Sequence, residues 1–263
     1  KGEIYQFTGD WNKEENIYKH NINRARKLSD SRLIAEIEYS LGKLYQKKGK
    51  YDEALNLLEN ALKLYNEIDE KKGICNTLGS IGVVYHRRTN YDKAMNYYEQ
   101  QLQIAEELND EKSQSEAIGH MGIVYKNKAN YVKAMEYYER QLKIAEKLND
   151  KLSISTAYAN MGAIHRHKEN LNKAIECWHK QLNIGTELGN KLHISNASGN
   201  IGVVYFEQGN YEKAIIYYNK QKSISAELGN KLGTSLADNN IGQVYFQKGQ
   251  YKKAINHYQR SHK

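Results

Sequence analysis

Hydrophobic and polar positions follow a helical spacing along this chain. Leu78, Ile81 and Tyr85 share one helix face with the glycine at position 82. After a short polar break, a second apolar stripe has spacings of three or four residues and contains Ala94, Tyr98, Leu102, Ala105 and Leu108. The pattern predicts two amphipathic helices joined by a short turn.

This helix pair recurs every 40 residues without an insertion. The clearest marker is an inner glycine, which stands at Gly2, Gly42, Gly82, Gly122, Gly162, Gly202 and Gly242. A period of this length is typical of solenoid proteins. Glycine within a helix costs roughly 0.5–1 kcal/mol relative to alanine. We therefore expect the inner glycines to lie where paired helices approach each other closely.

The period predicts an all-α solenoid that forms one domain over residues 1–263. About seven repeats, with truncated first and last repeats, lie near residues 1–30, 31–70, 71–110, 111–150, 151–190, 191–230 and 231–263. The first would begin with the end of a helix over residues 1–8. Helix N-caps are expected at Asp30, Asp110, Asp150, Asn190 and Asn230, and at Asn90, Asn130, Asn170 and Asn210. Gly49, Gly209 and Gly249 suit the left-handed turn after a helix.

The repeated residues resemble a known family. Ile-Gly-Val-Val-Tyr at 201–205, Gly-Asn-Tyr-Glu-Lys-Ala at 209–214 and Tyr-Tyr at 217–218 are similar to the tetratricopeptide repeat. The 40-residue period, with Ala-Glu-Leu-Gly-Asn-Lys at 226–231, resembles the long variant of Pins-type polarity adaptors and of bacterial signalling proteins. The resemblance implies a right-handed superhelical solenoid of helix-turn-helix units. The chain departs from the family pattern at His165, which replaces a tyrosine, and lacks the usual early tryptophan and late proline.

Composition narrows the class of protein. Lysine and arginine exceed aspartate and glutamate by 39 to 31, a net charge of +8 without dense basic clusters, so nucleic-acid binding is not favoured. Cys75 and Cys177 fall in different repeats, and we expect both to be reduced and half-buried, as in a cytoplasmic protein. No signal peptide or membrane span is predicted. The chain is expected to be a piece of a longer protein, and to self-associate through truncated ends near Ile255 and Tyr258.

No catalytic constellation is predicted, so the chain is not expected to be an enzyme. The glycines at 199 and 202 lack the spacing and the lysine of a phosphate-binding loop. His165 and His167 lie two residues apart on a helix, face different directions and cannot bind one metal ion. No cofactor or metal is expected.

The face opposite the buried stripe is the candidate binding surface. Two residues before the inner glycines, it carries Ser40, Ser80, His120, Asn160, Asn200 and Asn240. The family resemblance implies that an asparagine at this place lines a concave surface and holds the backbone of a partner, as its amide both donates and accepts hydrogen bonds. Asn76 and Asn196 lie further back on the same face. The alternatives are a bond to the adjacent helix or plain solvation.

Charge at the rim of this face changes along the chain. Four or five residues after the inner glycine, the earlier repeats carry the basic residues Arg87, Lys126 and Arg166. Four residues after it, the later repeats carry Phe206 and Phe246. This gradation predicts a partner with acidic residues at one end and apolar residues at the other. The alternative is that these side chains are solvated helix ends.

We therefore predict a scaffold that binds a protein or peptide segment in its concave groove. One alternative is a regulatory domain that senses a small peptide and controls an output domain of a larger signalling protein. A second, less favoured alternative is a nucleic-acid-binding array that contacts phosphates through lysine and arginine. Steep salt dependence would distinguish nucleic acid from a protein partner.

Overall fold

The computed structural model describes residues 11–261, in which every regular element is an α-helix. The predicted helix over residues 1–8, with Gly2, lies outside the described residues. The helices are α1 Trp11–Lys27, α2 Ser31–Lys47, α3 Tyr51–Glu67, α4 Lys71–Arg87, α5 Tyr91–Glu107, α6 Glu111–Asn127, α7 Tyr131–Lys147, α8 Lys151–His167, α9 Leu171–Glu187, α10 Lys191–Glu207, α11 Tyr211–Glu227, α12 Lys231–Gln247 and α13 Tyr251–Ser261. The predicted all-α repeat fold is confirmed.

The helices form two compact units, residues 1–130 and 131–263. We call them the N-terminal unit, with helices α1–α6, and the C-terminal unit, with α7–α13. Within each unit, consecutive helices pack against each other. First helices of neighbouring repeats also touch, α2 with α4 and α4 with α6 in one unit, α8 with α10 and α10 with α12 in the other. The first helices thus form one wall of each unit.

Asparagine and aspartate begin the helices as predicted. Side chains that accept a hydrogen bond from a backbone N–H in the first turn are Asp30, Asp110, Asp150, Asn190 and Asn230, and likewise Asn90, Asn170 and Asn210. Gly49, Gly209 and Gly249 have φ angles of 74°, 73° and 69°. Within residues 11–261, seven non-glycine turn residues also have positive φ, which was not predicted: Ser29, Asp69, Thr89, Asn109, Ala129, Asn149 and Glu169.

The inner glycines accommodate a large side chain from the second helix of the same repeat. An added Cβ on Gly202 would lie 2.7 Å from Cε1 of Tyr218, closer than atoms in contact normally approach. The glycines at 42, 82, 162 and 242 meet Leu58, Tyr98, Trp178 and Tyr258 in the same way. At these positions a side chain of the partner helix fills the space that each glycine leaves.

A lysine covers the tyrosine that follows the inner glycine in several repeats. The ammonium nitrogen lies between 5.1 and 5.3 Å from the ring centroid at Tyr85, Tyr205 and Tyr245. In the repeat where His165 replaces this tyrosine, Lys173 occupies the equivalent lysine position. Burial and the charge of Lys173 lower the pKa of His165, so a protonated imidazole is disfavoured there. One favourable cation–π contact is therefore missing from this repeat.

Both cysteines are free thiols and are buried, rather than half-buried as expected. Cys75 is fully enclosed, and its thiol lies 3.6 Å from the backbone oxygen of Gln101 on the neighbouring helix. Burial raises the pKa of both thiols, so neither is primed as a nucleophile. Among residues 11–261, no helix combines the length and the apolar character needed to cross a membrane.

Candidate functional site

The C-terminal unit contains a cleft of about 450 Å³ between its first helices. We call it the asparagine cleft. Its lining consists of Ala159, Asn160, Ala163, Gln181, Asn196, Gly199, Asn200, Val203, Gln221, Leu236 and Asn240. The first helices α8, α10 and α12 lie side by side, so the residue two before each inner glycine faces the same space. The structure therefore brings four predicted site residues together: Asn160, Asn196, Asn200 and Asn240.

The three asparagines at the repeat position have free hydrogen-bonding groups. Within residues 11–261, no hydrogen bond reaches the carboxamide of Asn160, Asn200 or Asn240. The predicted alternative, a bond to the adjacent helix, is not observed for these side chains. Each carboxamide can thus donate and accept bonds from a bound molecule, as peptide groups require.

The second helices add glutamines to the same cleft, which the sequence analysis did not identify. Gln181 from α9 and Gln221 from α11 reach the cleft between the first helices. An added Cβ on Gly199 would lie 2.8 Å from the Gln221 carboxamide, so this glycine makes room for the amide. A signal was present in the sequence, because glutamine recurs at positions 101, 141, 181 and 221 with the repeat period.

The N-terminal unit has a smaller cleft of about 200 Å³. Its lining consists of Tyr39, Lys43, Gln46, Asn76, Gly79, Ser80, Val83, Gln101, Glu116 and His120. Of the residues predicted for the binding face, it contains Asn76, Ser80 and His120. Burial and the charge of His86 lower the pKa of His120 to about 4. The imidazole is therefore neutral near pH 7, and its buried Nδ1 atom has no hydrogen-bond partner among the described residues.

The predicted rim residues of the C-terminal unit lie at helix ends, and none of them lines the asparagine cleft. Arg166 is already neutralised, since its guanidinium donates hydrogen bonds of 2.6 and 3.0 Å to Oε1 of Glu207. Phe206 is half-buried and packs against the cluster that contains Ile241. Phe246 remains 53% exposed. Of these three rim residues, Phe246 exposes the largest apolar surface, although its ring also contacts Tyr251 at 5.5 Å between centroids.

The basic rim residues of the N-terminal unit lie around His86. Burial, followed by the charges of Arg87 and Lys126, lowers the pKa of this imidazole, which lies 2.8 Å from the Asn127 amide nitrogen. Arg87 is exposed, whereas Lys126 is half-buried, and burial lowers its pKa. These two cations stand outside the smaller cleft.

The described residues contain no group of three histidine, cysteine, aspartate or glutamate side chains that could hold a metal ion. The asparagine cleft instead presents amides and apolar side chains, and the smaller cleft presents amides, the neutral imidazole of His120 and two charged side chains, Lys43 and Glu116. Such groups hold a ligand by hydrogen bonds and contact.

A family model described as the tetratricopeptide repeat matches residues 1–67, 73–149, 153–221 and 193–263. The matches extend over nearly all of the sequence. No curated protein matches the chain in sequence.

Solved structures share the fold at low sequence identity. BtubC from P. vanneervenii is 21% identical, with a TM-score of 0.70 over 84% of this chain and 92% of its own. A STAND signal-transduction ATPase with a tetratricopeptide repeat sensor, from Pyrococcus horikoshii, is 19% identical, with a TM-score of 0.76; the match covers 99% of this chain but 40% of the ATPase. A Rap protein complexed with Competence and Sporulation Factor is 15% identical, with a TM-score of 0.75 over 99% of this chain and 71% of its own.

Proposed function

Because the chain belongs to the tetratricopeptide-repeat family, we propose that it is a protein-interaction scaffold that binds a peptide segment in the asparagine cleft. One observation carries this proposal: Asn160, Asn200 and Asn240 face one cleft with carboxamides that bond to none of the described residues. Each of these three amides can bond to a different peptide group of one bound segment, since a carboxamide both donates and accepts hydrogen bonds. The volume of about 450 Å³ lies in the range of ordinary ligand sites.

The chemistry of the cleft favours a peptide over a nucleic acid. None of its eleven lining residues carries a charge. Affinity for nucleic acid comes largely from lysine and arginine side chains that neutralise phosphates, and the cleft offers no arginine or lysine. The Rap protein with a similar fold was solved with Competence and Sporulation Factor bound, which supports a ligand-binding role for this kind of array.

For the part of the partner outside the cleft, the proposal is supported by the rim residues of each unit. Exposed Phe246 would pack against an apolar side chain, while Arg87 and Lys126 would attract acidic residues and mainly speed association. Arg166 would contribute only if its pair with Glu207 opened. A cytoplasmic location and self-association through the end that carries exposed Ile255 are further parts of this proposal.

An array of random ten-residue peptides, synthesised with capped ends, tests the proposal on the full chain. Replacing Asn160, Asn200 and Asn240 by alanine removes three amides, each worth about 0.5–1.5 kcal/mol as a hydrogen-bonding partner. The affinity of selected peptides should therefore fall at least about tenfold. The matched control replaces Asn183, Asn219 and Asn256, which are exposed on second helices of the same unit.

Equal loss of affinity in the two triple variants would contradict the proposal, as would an array with no binders. A mixed-sequence oligonucleotide, titrated at two salt concentrations, tests the nucleic-acid alternative. Tight binding with steep salt dependence would replace the peptide by nucleic acid as the ligand.

A further inference from the structure

We propose that the carboxamides of Gln181 and Gln221 pair with the backbone peptide groups of the bound segment, which therefore lies in the asparagine cleft in an extended conformation. This inference rests on the proposed function and specifies its ligand. It assigns a binding role to residues of the second helices, and it excludes a helical segment as the occupant.

The carboxamides of Gln181 and Gln221 have buried oxygen atoms without a hydrogen-bond partner among the described residues. Gln181 is 3% exposed, yet its Oε1 atom is buried without a hydrogen-bond partner in the described structure, and the Oε1 atom of Gln221 is in the same state. Buried polar side-chain atoms are normally paired, and an unpaired one destabilises the fold. A residue type that recurs at this cost across repeats indicates a role other than packing.

Gln181 and Gln221 both line the asparagine cleft. The terminal torsion of a glutamine side chain is broad and roughly two-fold, so a half-turn exchanges the positions of oxygen and nitrogen at little cost. Each glutamine can therefore present either an acceptor or a donor to a molecule in the cleft.

The conformation of the ligand decides which of its backbone groups can bond to the cleft. Inside an α-helix the backbone N–H and C=O groups bond to each other, and only the groups at the ends are free. An extended segment leaves these groups free along its length. Asparagines reach the cleft from the first helices and glutamines from the second helices. To bond to all of these amides, the ligand needs free backbone N–H and C=O groups. An extended backbone supplies them.

None of the eleven residues that line the cleft carries a charge. An uncharged, amide-rich lining matches the peptide group, which is itself uncharged and has one donor and one acceptor. Ala163, Val203 and Leu236 leave small apolar areas between the amides. The cleft thus recognises the main chain and tolerates many side chains.

The test uses random ten-residue peptides whose binding to the full chain falls in the Asn200→Ala variant. Each selected peptide is resynthesised with one backbone nitrogen methylated at a time, which removes a donor and keeps the side chain. Affinity should fall about tenfold at two or more positions, in line with loss of a hydrogen bond in a cleft. A hydrocarbon-stapled helical version of the same peptide should lose binding.

Gln181→Met and Gln221→Met remove the amides and keep the approximate side-chain volume. Each should weaken binding about tenfold while the melting temperature stays constant or rises, because an unpaired buried oxygen is removed. The control is Gln250→Met, since Gln250 also has a buried, unpaired oxygen but lies outside the asparagine cleft. It should leave binding unchanged.

Suppose that binding depends on Asn200 but is unaffected by backbone methylation, or is unaffected by both glutamine substitutions. Either result would overturn this inference and leave the proposed function standing. Equal weakening by Gln250→Met, or tight binding of the stapled helix, would overturn it as well. If no peptide shows binding that depends on Asn200, the proposed function fails and this inference fails with it.

Discussion

Gly202→Ala tests the packing principle of the repeat with a single added methyl group. The new Cβ would lie 2.7 Å from Cε1 and 2.8 Å from Cδ1 of Tyr218. Carbon atoms in contact normally lie about 3.5–4.0 Å apart, so the ring would have to move by about 1 Å. Tyr218 is only 2% exposed, and its ring cannot swing into solvent.

Two opposing effects set the magnitude. Alanine favours the helix by about 0.5–1 kcal/mol over glycine. Overpacking a filled core costs about 1–3 kcal/mol. We therefore expect Gly202→Ala to lower the free energy of unfolding by about 1 kcal/mol, although the substitution improves helix propensity. Urea unfolding followed by circular dichroism measures this change.

Tyr218→Val provides the matched background, because valine lacks the ring atoms that the new methyl group would meet. In that background Gly202→Ala should raise the free energy of unfolding by about 0.5–1 kcal/mol, the helix-propensity gain alone. A stabilising effect of Gly202→Ala in both backgrounds would show that the glycine is not needed to seat the ring.

Three further changes test other features. Thr89 has a φ of 58°, a region that disfavours a β-branched residue, so Thr89→Gly should raise the free energy of unfolding by about 0.5–1 kcal/mol; an unchanged urea midpoint would refute this. His165→Tyr should restore the cation–π contact with Lys173 and stabilise the fold by about 0.5–1 kcal/mol, visible as a higher melting temperature that Lys173→Gln then cancels. Burial would raise the pKa of Glu15, but hydrogen bonds from Lys19 and two other partners outweigh it and lower this pKa from 4.5 to about 2. The stabilisation from this carboxylate is thus complete above pH 4.5 and is lost as the pH falls toward 2, so the unfolding free energies of wild type and Glu15→Gln should converge over that range; a constant gap would contradict the assignment.

The sequence predicted the helix pairs, their repeat and their caps, because each follows from local chemistry. It did not predict the left-handed turn residues that are not glycine. At Thr89 the two helices on either side fix the turn: the N–H of Asn90 donates to the carbonyl of Tyr85, and the N–H of Thr89 donates to that of His86. Packing of the helix pair thus overrides the preference of the single turn residue.

Counting residues around one helix placed the asparagines on one face, and they line one cleft because all of them belong to first helices. The same count could not find Gln181 and Gln221, because they reach the cleft from second helices. The sequence analysis also missed the ion pair that Arg166 forms. Its partner, Glu207, is 41 residues further along, and their contact depends on how two repeats stack. Contacts between helices are the part of the site that a single-helix pattern does not contain.

The matching turns of neighbouring repeats have a genetic consequence. Gly189 and Gly229 have nearly equal φ angles of 62° and 65°, and each precedes an asparagine cap and the sequence Lys-Leu. Joining Asn190 directly to Lys231 would therefore recreate the Gly-Asn-Lys-Leu junction already present at 229–232. Unequal crossing-over between such similar coding segments would delete or duplicate a whole repeat without breaking a cap. An array built in this way can change the length of its binding surface in one recombination event.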